Sequence, residues 1–223
     1  QLPGREGRIR EAPYTRMAGL LDPLLLALQP LFDRPFAFFG HSLGALIAFE
    51  LTRELARRNA PGPVRLFASA RRAPHLPHSR RPIHHLPAGD FIRELKAYKG
   101  TPGVVLDDAD LRALLLPMIR ADFAVNETYT YAAGPLLACP ISGLGGVEDD
   151  HVNPHELAAW KQETQGGFSI RMFPGGHFYL RDRRLELLKV IADDLAGVSP
   201  AATRPARNCH PAAAAGGAPF ALE

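Results

Sequence analysis

Cysteine is almost missing from this chain of 223 residues: only Cys139 and Cys209 occur, too few for a disulfide framework. Cys139 lies in an apolar run and reads as a small buried hydrophobe, while Cys209 sits in a stretch of low complexity. Long apolar runs are missing as well. No stretch approaches the roughly 20 residues of a membrane span, and no secretory leader pattern is present. These absences point to a protein of the cell interior, cytoplasmic and without a membrane partner. Charge of one sign is also scarce, since 26 basic residues against 23 acidic ones leave a formal net charge of only +3. The arginine pairs Arg57-Arg58, Arg71-Arg72 and Arg80-Arg81 are scattered and carry no interleaved aromatics. They read as solvated faces, and a nucleic-acid partner is not expected. Methionine does not occur before Met17, and the first residue is Gln1. The expectation is a fragment or a processed product.

What is present is ordinary for a globular domain, with 46% hydrophobic and 22% charged residues. From Thr15 to Leu31, Met17, Leu20, Leu21, Leu24, Leu25 and Leu28 recur at helical spacing. The run Pro35 to Phe39 reads as a strand, and Ala45 to Leu51 opens a helix that stops near Asn59-Ala60-Pro61-Gly62. Val64 to Ser69, Leu136 to Leu144 and Phe168 to Phe173 read as further strands. Asp90, and Asp107 or Asp108, are suited to cap two short helices. Asn153-Pro154-His155-Glu156 has the form of a capping box with proline at the first helical position. Leu185 to Leu195 is a last amphipathic helix. Alternating strands and helices imply an α/β fold with a mostly parallel sheet covered on both faces. The stretch from about 77 to 131 interrupts the alternation and reads as a helical lid insertion. The domain is thus expected over 1–196, with 197–223 a disordered Ala/Pro-rich tail.

One motif carries chemistry. Gly40-His41-Ser42-Leu43-Gly44 stands between an apolar run and a helix pattern. Strand, G-x-S-x-G and helix in that order form the nucleophile elbow of α/β-hydrolases, which presents a serine hydroxyl above the sheet. A side chain at Gly40 or Gly44 is expected to collide with neighbouring backbone at so tight a reversal. A serine needs a base, and the base needs an acid to fix its tautomer. In this fold both follow later strands, acid before histidine. His177 follows a strand within Pro174-Gly175-Gly176 and is the best-placed base. Glu148, Asp149 and Asp150 each have a claim as the acid, and the other two would be solvated loop charges. His41 is expected to point away and to shape the pocket by packing. His75, His78, His84, His85, His151 and His155 show no recognised ligand spacing, so no metal site is expected.

The chain resembles the type II thioesterases that accompany polyketide synthases and nonribosomal peptide synthetases, over nearly all of 1–197. The landmarks are Gln1-Leu2-Pro3-Gly4-Arg5-Glu6, Gly40-His41-Ser42-Leu43-Gly44-Ala45, Ser69-Ala70-Arg71-Arg72-Ala73-Pro74, Leu116-Pro117 with Arg120-Ala121-Asp122-Phe123, Glu127-Thr128-Tyr129, Cys139-Pro140-Ile141 and Gly175-Gly176-His177-Phe178. The resemblance implies Ser42 as nucleophile and His177 as base, and it favours Asp149 as the acid. It implies hydrolysis of acyl thioesters on the phosphopantetheine arm of acyl or peptidyl carrier domains, clearing stalled or wrongly loaded groups. It implies no cofactor, and a monomer is the expected state.

The family also carries a strand, an oxyanion loop, a helix and another strand ahead of the point where Gln1 stands. The Leu43 N–H supplies one oxyanion donor, and the second is expected to be absent from this chain. Poor turnover or poor solubility of the polypeptide is the corresponding expectation, since one lost donor typically costs about 10²–10³ in kcat. A general carboxylesterase, a chain-terminating thioesterase and a carrier-binding remnant without turnover are the competing expectations.

Overall fold

The computed structural model describes residues 1–98, 100–101 and 103–197; the expected tail and Cys209 lie outside them, apart from Gly197. Four strands, β1 (Phe38–His41), β2 (Leu66–Ser69), β3 (Ile141–Gly146) and β4 (Phe168–Phe173), pair side by side in chain order, all parallel. Parallel strands need crossovers over the faces, and the helices supply them. α1 (Met17–Leu28) packs on α2 (Leu43–Arg57), which packs on β1 and β2. α7 (Arg184–Ala196) covers the opposite face.

Strand residues alternate between the two faces. Leu66, Ala68 and Ile141 join Ala45, Phe49, Leu157 and Trp160 in one core cluster. Phe67 and Leu144 join Phe173, Tyr179 and Leu187 in another, on the α7 side. The two inner strands are buried along their whole length, whereas β1 and β4 are not. Ser142, buried in β3, donates to Asp194 of α7 at 2.6 Å and accepts from Arg65 at 2.9 Å. A polar residue inside the α7 face is thereby satisfied rather than stranded.

Local signals set most boundaries. α2 ends in a left-handed residue, Asn59 (φ 53°), with Ala60 N–H donating to the Leu55 carbonyl at 2.9 Å and Asn59 N–H to that of Ala56 at 3.0 Å. This is a Schellman closure, followed by Pro61. α6 (Pro154–Ala158) opens with the capping box expected from sequence: Asn153 caps the Glu156 N–H, and Glu156 caps the Asn153 N–H. Asp108 caps α5 (Ala109–Glu127) through the Leu111 N–H at 2.8 Å.

Some expectations need correction. β1 lies further along than Pro35 to Phe39 and runs into the pentapeptide itself. Asp90 is not a cap, because α3 (Ala88–Tyr98) begins ahead of it and places it in the first turn. The second short helix of the insertion is a long one, since α5 continues straight through Pro117. Between β2 and β3, α3, α4 (Gly103–Asp107) and α5 bury their own cluster of Ile83, Phe91, Leu95 and Leu106. Glu127, at the end of α5, ties the start of this segment down by accepting from the backbone N–H groups of Ile83 and His84 and from His84 Nδ1. No helix among the described residues is long and apolar enough to cross a membrane.

Candidate active site

Every strand hands its carboxyl end to one corner of the molecule. The Ser42 N–H donates to the Ser69 carbonyl at 2.8 Å, the Ala70 N–H to that of Leu144 at 2.7 Å, and the Val147 N–H to that of Phe173 at 2.9 Å. The loops after β1, β2, β3 and β4 therefore lie side by side at the edge where open parallel sheets bind ligands. A cavity of about 270 Å³ opens there, lined by Ser42, Leu43, Arg71, His151 and His177 among others.

Ser42 sits at φ 53° and ψ −116°, directly between β1 and α2. A non-glycine residue in that region stores strain of order 1–3 kcal/mol, held only because both flanking elements over-determine it. Gly40 is the residue that makes the turn feasible. A Cβ there would run into the carbonyl of Gly44 and the nitrogen of Ala45. Gly44 departs from expectation: a Cβ at that position meets nothing within 4 Å. The constraint is one-sided, because Gly44 contributes the backbone that Gly40 must clear.

Of the three acids after β3, Asp149 meets the histidine. Its Oδ2 lies 2.9 Å from His177 Nδ1, while its Oδ1 accepts from the backbone N–H groups of His151 and Val152 at 2.8 and 3.2 Å. The Asp149 side chain is 1% exposed and that of His177 is 13% exposed. Burial alone would raise the Asp149 carboxyl. The hydrogen bond and charge of His177, with the two backbone donors, outweigh burial and hold it below the usual carboxylate range. Asp150 faces solvent with 61% of its side chain exposed.

Glu148 is more than a solvated charge. Its carboxylate accepts from the Gly175 N–H, and its own N–H donates to the Gly175 carbonyl at 3.0 Å. Gly146 completes this junction, since a Cβ there would strike the carbonyls of Gly175 and Gly176. The acid loop and the histidine loop are thus stapled together by backbone.

Three rings surround the His177 imidazole. His41 lies 5.1 Å away, centroid to centroid, His151 4.8 Å and Phe178 5.1 Å. His41 is therefore not turned away from the site; it packs against His177. Its Nδ1 is 3.0 Å from Ser69 Oγ, which is 2.8 Å from the Tyr179 hydroxyl. Burial, with the neighbouring His177 charge, pushes His41 down to about 4, so it is neutral at neutral pH. His151 stacks on Tyr98 at 5.3 Å, and its Nε2 donates to the Tyr98 carbonyl at 3.2 Å. That pair joins the end of α3 to the histidine.

Neither His151 nor Tyr98 is assigned to the site by sequence, because no spacing signal links residues so far apart. His75 and His84 each meet one distant acid, Glu163 and Glu127 respectively. No group of His, Cys, Asp and Glu among the described residues is arranged to hold a metal ion.

Serine on an elbow, a carboxylate-oriented imidazole and a helix N-terminus at one cavity form the constellation of acyl-transfer hydrolases. The chain belongs to the thioesterase-domain family, whose sequence model matches residues 1–195. It is 42% identical over 195 residues to the gramicidin S biosynthesis protein GrsT of Aneurinibacillus migulanus, covering 87% of this chain and 76% of that protein. It is 38% identical over 196 residues to the thioesterase PikA5 of Streptomyces venezuelae, covering 87% and 69%. Among solved structures it is similar to the RedJ thioesterase of the prodiginine pathway in Streptomyces coelicolor. That match has a TM-score of 0.77 at 37% identity, over 85% of this chain and 77% of that one. The architecture is therefore that of α/β-hydrolase thioesterases.

Proposed function

We propose that this protein hydrolyses acyl thioesters carried on the phosphopantetheine arm of carrier proteins, removing misplaced acyl groups from polyketide or nonribosomal peptide assembly. The observation that carries the reading is the coupling of His177 Nδ1 to buried Asp149, with His177 and Ser42 lining the same cavity. With Nδ1–H committed to Asp149, Nε2 carries the free lone pair and serves as the base.

Ser42 Oγ attacks the thioester carbonyl as Nε2 takes its proton. Asp149 stabilises the imidazolium that forms. The Leu43 N–H, at the first position of α2, donates to the developing oxyanion, aided by the positive end of the helix. The C–S bond breaks, the pantetheine sulfur leaves with the proton from Nε2, and an acyl-Ser42 ester remains. Water, deprotonated by the same nitrogen, then adds to the ester carbonyl and releases the free acid and Ser42. A thiol leaves more readily than an alcohol because its conjugate base is far weaker. The segment between β2 and β3, clamped to the histidine through Tyr98 and His151, acts as the lid that excludes bulk water and admits the arm.

Rates on a butyryl-loaded carrier protein and on p-nitrophenyl butyrate separate this reading from a general esterase. The expected outcome is a kcat/KM for the carrier substrate at least about tenfold above that for the aryl ester, because binding energy from the arm and carrier assists the reaction. Ser42→Ala is expected to abolish both activities. Equal or better use of the aryl ester would assign the site to a general esterase.

A further inference from the structure

The loop after β2 brings a second chemical character into the cavity. Arg71 and Arg72 both line it together with Ser42, and the Ser42–Ser69 hydrogen bond fixes the root of that loop beside the elbow. Arg71 is only 9% exposed. Its Nη1 donates to Asn126 Oδ1 at 2.5 Å, and its Nε has no acceptor. No carboxylate pairs with it among the described residues. Burial, and then the charge of Arg72, push it down to about 10, so it remains a cation at neutral pH.

Arg72 spends one nitrogen on Glu156 and leaves Nε and Nη1 buried without acceptors. The acids in the same lining are already engaged, Asp122 by Arg5 at 2.7 Å and Glu127 by the Ile83–His84 backbone and His84. Asn126 has its carbonyl oxygen on Arg71, which leaves its amide N–H groups to donate. The charged side chains of this wall thus leave cationic donors around Arg71 without a free carboxylate to meet them among the described residues. A buried charge of this kind is costly unless something neutralises it.

We propose that Arg71, supported by Asn126, is a recognition subsite for acyl groups bearing a carboxylate beyond the thioester, as in malonyl-type half-thioesters. The proposal rests on the thioesterase reading of the same cavity. A guanidinium offers parallel N–H groups that match a carboxylate in a fork, and the low-dielectric wall strengthens the pairing. The reaction at Ser42 is unchanged; what the subsite alters is which acyl group dwells at the elbow.

The test measures binding of S-malonyl-pantetheine and S-butyryl-pantetheine to the Ser42→Ala protein by calorimetry, alone and with Arg71→Gln or Arg71→Lys added. The malonyl compound is expected to bind at least about tenfold more tightly than the butyryl compound. Arg71→Gln should erase that preference and change butyryl binding less than about twofold, and Arg71→Lys should retain part of it. Thermal melting checks that each variant is folded. Should Arg71→Gln not fold, the Lys variant decides, since an undiminished malonyl preference in it would overturn the proposal. Equal weakening of both ligands would leave Arg71 a structural tie to α5 and overturn it too, as would the absence of any malonyl preference in the parent protein. Hydrolysis of the butyryl compound by the protein with Ser42 intact reports separately on the thioesterase reading. A malonyl preference without any turnover would sink that reading and leave the subsite standing.

Discussion

Asp149→Asn is expected to lower kcat on an acyl thioester by about 10³–10⁴-fold, while Asp150→Asn leaves it within about twofold. The substituted amide would keep the shape of the acid and could still accept from the His151 and Val152 N–H groups, so the loop should hold. Its NH₂ group, however, can donate to His177 Nδ1, which moves the ring proton to Nε2 and removes the lone pair that Ser42 needs. Asp150 forms no hydrogen bond to His177; its side chain is 61% exposed and, among the described residues, reaches only His151 Nε2, at 3.3 Å. Exposed pairs of that kind contribute little. Steady-state rates of both variants on one substrate provide the comparison, and equal losses would mean that the wrong carboxylate has been placed behind the histidine.

Gly40→Ala should be among the most damaging single-methyl changes in the described residues, and Gly44→Ala one of the mildest. The added Cβ at Gly40 lands on backbone atoms of Gly44 and Ala45, which no rotamer change can clear, so β1 or α2 must shift. Overpacking of that kind costs about 3 kcal/mol, which is roughly 6–12 °C in melting temperature for a domain of this size. It also displaces Ser42, and a misplacement of about 1 Å can cost 10²-fold in rate. At Gly44 the methyl enters open space in the first turn of α2, where alanine is favoured over glycine by up to about 1 kcal/mol. Melting temperature and kcat of the two variants, measured side by side, give the result. A Gly44→Ala protein as damaged as Gly40→Ala would show that the turn is constrained from both ends.

These two glycines show where sequence reasoning succeeds and where it stops. The elbow is legible because a strand pattern, five residues and a helix pattern fall in unbroken order. Which glycine is compelled is not legible, since that depends on the path of the backbone four residues later. The acid run is similar. Glu148, Asp149 and Asp150 are indistinguishable by type and position, and the turn separates them: Glu148 swings to the Gly175 N–H, Asp149 inward to His177, Asp150 to solvent.

Helix ends with their own chemistry, Asn59 and Asn153, are readable because caps act over three or four residues. The insertion between β2 and β3 is readable only in part: Asp108 does cap α5, but Asp90 falls inside the first turn of α3, and Pro117 suggests a break that α5 runs through. The Tyr98–His151 stack and the donor wall at Arg71 have no sequence signal. Each depends on a loop at the sheet edge meeting a helix of the insertion, α3 at Tyr98 and α5 at Asn126, and spacing along the chain does not record such a meeting.

The most direct measurement is covalent. Incubation with an alkyl fluorophosphonate, followed by peptide mass spectrometry, should place one phosphonyl group on the peptide containing Ser42, with thioester hydrolysis lost in proportion. Folded protein that hydrolyses thioesters while Ser42 stays unlabelled, or while the label sits on another residue, would contradict a mechanism that begins at this hydroxyl.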